Sequence, residues 1–241
     1  MSLVGLCSVN GAPGATTLAT ALAAYGRTAG AVLIEADPAG GDLAVRYGIS
    51  QYPGLAALAA RARHLAEPGR DVLGDLIRLS EPGGFDLVPA PVEPAAATAA
   101  LDTLSAWPGT VAATGRNRPI LVDLGRMDPR SPSRGLLDAC DTLCLVVRGD
   151  AVSLGHAREA SWLGQARTRV GFVLVDTGPY RAPEAAEALA LPCLGTVPFH
   201  RKQLGGRKGA RAMSALWTEL FIPTHDPDPM PTPEPAQVNA P

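Results

Sequence analysis

Lysine is almost missing from this 241-residue chain: of 21 basic residues only Lys202 and Lys208 are lysines, a bias that codon composition explains at least as well as function. Aromatic residues are also scarce, at 5%. Trp107, Trp162 and Trp217 fall within or at the end of helix-like segments with apolar neighbours, so packing against a core is expected of them. The four cysteines, Cys7, Cys140, Cys144 and Cys193, lie in or beside apolar runs without metal-ligand spacing, which argues against zinc and a disulfide framework. Buried thiols in a reducing compartment are expected instead. No stretch reaches 18 apolar residues, and the first residues lack a charged segment followed by an apolar one, so neither a membrane span nor a secretory leader is expected. A cytoplasmic protein without membrane insertion is the expectation. A formal net charge of −2 excludes bulk attraction to nucleic acid or anionic lipid, though charge can still be concentrated locally. His156 and His200 have no partner at catalytic spacing, which leaves no Ser-His-Asp or Cys-His constellation to argue for.

What is present is a regular alternation. Short apolar or β-branched runs at Leu3–Ser8, Ala31–Glu35, Phe85–Pro89, Pro119–Leu124, Thr142–Val147, Gly171–Asp176 and Cys193–Val197 read as strands. Between them, alanine-rich segments with helical spacing occupy Thr16–Thr28, Leu55–Ala66, Ala95–Trp107, Ser133–Ala139, Ser153–Gln165, Ala182–Ala190 and Arg211–Leu220. Strand-helix-strand repetition predicts an α/β fold, a doubly wound and mostly parallel sheet of about seven strands with helices on both faces. With 46% hydrophobic residues the chain can fill one such core. Residues 1–222 are expected to form this domain, and the proline-rich, acidic residues 223–241 a disordered tail.

Between the first strand and the first helix lies Ser8-Val-Asn-Gly-Ala-Pro-Gly-Ala-Thr-Thr17, where a phosphate-binding loop belongs. Such a loop curls backbone N–H groups around phosphate oxygens, aims a helix N-terminus at them, and adds a lysine charge and a hydroxyl that holds Mg²⁺. Glycines and the hydroxyl pair Thr16 and Thr17 are kept, but Ala15 occupies the lysine slot and Val9 the place of the first glycine. The second strand ends in Glu35-Ala-Asp37-Pro-Ala-Gly-Gly-Asp42, a carboxylate followed by a glycine-rich switch, placed to orient a water or bind Mg²⁺ indirectly. The same residues read equally well as a turn in which Asp37 and Asp42 cap backbone N–H groups. The fourth predicted strand carries Asp123 at its carboxyl end, followed by Leu124 and Gly125, the arrangement of a Walker B acid.

Together these three elements resemble the ParA/MinD superfamily of deviant P-loop NTPases, over residues 2 to about 220. The likeness continues in Leu143–Arg148 with Asp150–Leu154, in Val173–Asp176, and in Leu191-Pro-Cys-Leu-Gly-Thr-Val-Pro198. It implies ATP or ADP with Mg as ligand, bound by Gly11, Ala12, Pro13, Gly14, Ala15, Thr16 and Thr17, with Asp176 and Pro198 near the base. It further implies Thr16 and, through water, Asp123 as Mg²⁺ ligands, and Asp37 as the catalytic, water-orienting acid. The departures are as telling: Asn10 stands where the superfamily's signature lysine reaches across a dimer, and Ala15 where the general P-loop lysine holds the β and γ phosphates. Arg126 and Arg148 are candidate substitutes for the lost charge.

Within the superfamily the chain looks most similar to the divergent CpaE/TadZ-like branch, which implies a positioning or adaptor protein of a pilus or secretion assembly. It would act through a protein partner or a homodimer, with little or no hydrolysis, and its contact surface is expected near residues 37–46. The alternative is an active Mg-ATPase cycling between monomer and dimer, on nonspecific DNA. For that, the run His200–Arg211 offers Arg201, Lys202, Arg207, Lys208 and Arg211 as weak phosphate contacts, or as a solvated loop or flap. A metabolic ligase or amidotransferase of the same superfamily would need a substrate site, for which no residues stand out.

Overall fold

The computed structural model of the chain describes residues 3–11, 13–26, 31–64, 73, 78–80, 85–109, 111, 118–160, 162, 168–176, 178–198 and 206–221. Eight strands are formed among them: β1 (Leu3–Ser8), β2 (Val32–Glu35), β3 (Arg78–Ser80), β4 (Phe85–Val88), β5 (Ile120–Arg126), β6 (Thr142–Arg148), β7 (Arg169–Asp176) and β8 (Cys193–Pro198). They lie in one sheet in the order β3-β4-β2-β5-β1-β6-β7-β8. Every pairing is parallel except that of β3 with β4. The seven anticipated strands are all present. The added one, β3, is an antiparallel edge strand of three residues, too short to leave a pattern in the sequence.

Eight helices accompany the sheet among the described residues: α1 (Ala15–Tyr25), α2 (Leu43–Tyr47), α3 (Leu55–His64), α4 (Pro94–Ser105), α5 (Arg134–Asp138), α6 (Ala151–Glu159), α7 (Ala182–Leu189) and α8 (Arg207–Leu220). Because the sheet is covered on both sides, its strands are apolar throughout, and successive residues supply opposite cores. Val4, Leu6, Leu33, Leu121, Val146 and Val173 pack with Leu18 and Leu22 of α1 and Met213, Leu216 and Trp217 of α8. Leu3, Cys7, Ile34, Val122, Leu145 and Phe172 pack on the other face with residues of α3 to α7, among them Leu58, Leu101, Leu136, Leu154 and Ala185.

Cys7, Cys140 and Cys144 are buried and Cys193 half-buried, all as free thiols; burial pushes the Cys7 thiol up to about 12, far from reactivity at neutral pH. Of the three tryptophans, Trp217 is buried as expected, and Trp162 is half-buried under the Arg134 guanidinium, 5.0 Å from its ring centroid. Trp107 departs from expectation: it follows the end of α4 and is 42% exposed, because the helix stops at Ser105.

From β1 the chain winds one way to β2 and β4, returns through β5, and then proceeds the other way through β6, β7 and β8. The winding therefore reverses around β1, the place in such sheets where the strand ends open a crevice for ligands. No described helix is long and apolar enough to cross a membrane. The proline-rich stretch 223–241 lies outside the described residues.

Candidate functional site at the carboxyl edge of the sheet

The loop after β1 leads into α1 through Gly14, whose φ of 104° is a left-handed conformation that a residue with a Cβ rarely adopts. No side chain caps this helix and no acid stands in its first turn. Its first N–H groups therefore point into the loop without internal acceptors, carrying the positive end of the helix dipole. Thr16 and Thr17 are half-buried here, Gly11 is exposed, and Ala15 is 5% exposed, with its methyl group in the core under α1. Ala12 lies outside the described residues. Asn10, in the slot of the cross-dimer lysine, turns inward: its Oδ1 accepts from Ser153 Oγ of α6 at 3.4 Å. Ser153 Oγ also accepts the Arg148 N–H at 3.0 Å, so the loop, the end of β6 and the start of α6 meet at one hydroxyl.

Asp123 sits one strand away, fully buried. Its Oδ1 accepts the Gly125 N–H at 3.1 Å, whereas Oδ2 has no hydrogen-bond partner. Burial pushes its pKa up to about 7; the Thr16 side chain and the Gly125 N–H pull it down, and the neighbouring carboxylates Glu35 and Asp37 push it further up. A buried carboxylate oxygen left unpaired beside a threonine at a helix start is suited to a hydrated divalent cation. Asp37 is half-buried, its Oδ1 accepting the Ala39 N–H at 2.8 Å, and burial raises its pKa as well. Gly125 brings the two acids together. It has φ 62°, and a Cβ on it would lie 2.2 Å from the Asp37 carboxyl carbon, so only glycine lets β5 approach Asp37 this closely.

Glu35 is a residue whose role the sequence did not disclose. It is 2% exposed, and its carboxylate accepts three backbone N–H bonds: Oε1 from Asp42 at 2.7 Å and Leu43 at 2.9 Å, Oε2 from Ala90 at 3.0 Å. Burial raises its pKa while these three donors lower it. The effect is to pin the glycine-rich segment and the start of α2 onto the end of β4. Gly41 N–H donating to Pro91 O at 2.8 Å and Ser133 Oγ donating to Ala36 O at 2.8 Å complete the fastening. An acid at the last position of an otherwise apolar buried strand was the available signal, since such a group survives only with donors around it.

Asp176 and Pro198 are strand neighbours in register at the ends of β7 and β8, on the far side of β6 from β1. Asp176 is exposed and paired with Arg181 at 2.6 Å. Arg207, Lys208 and Arg211 are exposed on the first turns of α8, while Arg201 and Lys202 lie outside the described residues. Thus the structure gathers Thr16, Thr17, Asp37 and Asp123 at one edge, with the Asp176–Pro198 pair further along it.

No protein-family model matches this chain and no curated protein matches it by sequence. Its fold, by contrast, is that of solved MinD-like P-loop NTPases. A ParA family ATPase from Chlorobium tepidum TLS superposes with a TM-score of 0.66 at 18% identity, over 91% of this chain and 93% of that one. The septum site-determining protein MinD from Pyrococcus horikoshii OT3, complexed with Mg-ADP, gives a TM-score of 0.70 at 18% identity over 91% and 96%. The MinC:MinD cell division protein complex of Aquifex aeolicus gives 0.68 at 14% identity over 94% and 99%.

Proposed function

We propose that this chain is a ParA/MinD-like positioning or adaptor protein with a degenerate nucleotide site, acting through self-association or a protein partner with little or no ATP hydrolysis. One observation carries the reading: the helix start, Thr16, Asp37 and Asp123 are assembled on a MinD-like fold while both lysine positions are filled by Asn10 and Ala15. Each lost charge-assisted contact to phosphate is worth about 1.5–3 kcal/mol, and transition-state stabilisation suffers more than binding. Asn10 bonding in cis to Ser153 supports the loss of a contact made across a dimer. The solved relatives include a MinD bound to Mg-ADP and a MinD in complex with MinC, which supports a nucleotide and a protein partner as the things to look for. Near the switch segment Val45 is 70%, Tyr52 71% and Val92 45% exposed, and Gln51 Oε1 accepting the Val92 N–H at 2.8 Å ties the segment before Tyr52 to the one that carries Val92. Such exposed apolar side chains suit a protein contact. We assign the protein to a pilus or secretion assembly, after its likeness to the CpaE/TadZ-like branch.

The alternative, an active Mg-ATPase, draws on the unpartnered Asp123 Oδ2. Thr16 and Asp123 would hold the Mg²⁺, which would neutralise phosphate charge there. The two readings separate by titrating the protein calorimetrically with ATP and ADP plus Mg²⁺ and assaying phosphate release. The adaptor reading expects turnover at background that rises when Ala15→Lys restores the charge. Wild-type turnover abolished by Asp37→Ala would overturn it in favour of the ATPase.

A further inference from the structure

The carboxyl edge of the sheet is crowded with acid. Glu35, Asp37 and Asp123 lie close enough that two of them raise the pKa of the third. An anion placed at the start of α1 therefore meets a dipole worth about half a charge in its favour and several carboxylates against it. The loop cannot redress this, because no lysine or arginine precedes Arg27 in the sequence. The strands on either side can. In the order β5-β1-β6, both neighbours of β1 are seven-residue strands ending in arginine, Arg126 on β5 and Arg148 on β6.

Each arginine is fixed to the root of the loop by the backbone. Arg126 is in register with Ser8, and the following N–H, of Met127, donates to Ser8 O at 2.8 Å. Arg126 also directly follows Gly125, on which the Asp37 carboxylate rests. On the other side, the Arg148 N–H donates to Ser153 Oγ, and that hydroxyl donates to Asn10 Oδ1. With strands about 4.8 Å apart, both side chains start one strand spacing from the loop, well within the length of an arginine. Arg126 is exposed and makes no ion pair among the described residues; Arg148 is half-buried. The second sign of a ligand here, besides the uncapped helix start, is Asp123, fully buried near the Thr16 side chain, with its Oδ2 making no hydrogen bond of ordinary length.

We propose that Arg126 and Arg148, on the two strands flanking β1, hold a polyphosphate anion at the start of α1 in place of the lysine that Ala15 replaces. This rests on the degenerate-nucleotide-site reading and gives its ligand a chemistry. Guanidinium groups approaching from both sides pair bidentately with phosphate oxygens, and their charge survives an acidic neighbourhood. Two flanking forks suit two phosphates better than one, so pyrophosphate, ADP and ATP are the ligands to compare.

The test is calorimetric titration of the full chain with pyrophosphate, ADP and ATP, each with Mg²⁺, on wild type, Arg126→Ala, Arg148→Ala, Arg148→Lys and Thr16→Ala. Unfolding without ligand checks each variant, and exposed Arg126 keeps the proposal testable even where Arg148→Ala destabilises the chain. The expected result is binding weakened about tenfold by each alanine variant and partly regained in Arg148→Lys, with weaker salt dependence once an arginine is removed. The same losses with ADP and ATP but no binding of pyrophosphate would support the assignment with a nucleoside-bearing ligand. Binding weakened by Thr16→Ala yet untouched by both arginine variants would overturn the assignment and leave the nucleotide site standing. No binding of any of the three to wild type would overturn the assignment together with the nucleotide part of the proposed function.

Discussion

Two stretches at the same edge of the sheet, the segment Glu35–Leu43 and the loop Ser8–Thr17, are built on opposite plans. In the first, the polar groups find partners inside the chain: the Glu35 carboxylate takes three N–H bonds, Gly41 donates to Pro91 O, and Ala36 O accepts from Ser133. In the second, the helix start is uncapped, and the adjoining Asp123 Oδ2 is buried without a partner. One region is fastened by hydrogen bonds within the chain; the other leaves the start of a helix without a side-chain cap and one carboxylate oxygen unpaired. Both stretches stand at the carboxyl edge of the sheet, so the difference places the unsatisfied groups on the β1 side and the fastened ones on the β2 side.

The contrast can be broken most forcefully at Glu35. Replacing it by Ala leaves three N–H groups, two of them buried, without an acceptor and should cost about 3–5 kcal/mol in denaturant unfolding, with Glu35→Gln losing less. A loss below about 1 kcal/mol would mean the segment is not held by this carboxylate. On the other side the sign reverses. Because the folded pKa of Asp123 is raised to about 7, the folded state holds its proton more tightly than the unfolded chain does. The associated stability is present below the ordinary carboxylate range and is lost as pH rises through about 7. Asp123→Asn should therefore flatten that pH dependence and stabilise the chain by about 3 kcal/mol at pH 8, read from melting across pH 4 to 8. A variant no more stable than wild type at pH 8 would show that the unpaired oxygen is not a strain on the fold. The smallest effect is expected at Ser153→Ala, about 1 kcal/mol. It should show chiefly as faster amide exchange in residues 8–11, since the variant unties Asn10 from α6. Unchanged exchange would remove the hydroxyl as the loop's anchor.

Much of the fold was legible because its strands are buried on both faces and so appear as unbroken apolar runs; Leu3–Ser8 is bounded as expected. What escaped was short or composed against type. The helix α2 spans five residues between Asp42 and Gly48, and β3 spans three. Helix α8 begins at Arg207, four residues before the expected start, because Gly209 is buried against the core rather than ending a turn. At the site, loop, hydroxyls and strand-end acids could be placed from their order alone. The work of Glu35 could not, since its donors come from residues 42, 43 and 90, and a carboxylate's partners at that separation leave no periodic trace.

The far end of α1 carries a consequence of another kind. Gly26, which follows that helix, lies so close to the indole of Trp217 that a Cβ there would stand 2.2 Å from its ring, and Trp217 is itself stacked on Phe221 at 4.3 Å. Trp107, by contrast, is open to solvent. Under ultraviolet excitation the chain thus carries a shielded, blue-emitting indole on α8, seated against the far end of the helix that begins in the loop, and a water-exposed, iodide-quenchable indole at Trp107, with the half-buried Trp162 as the third. Any axial displacement of α1 would register as a change in colour at Trp217 while Trp107 served as the unmoved standard.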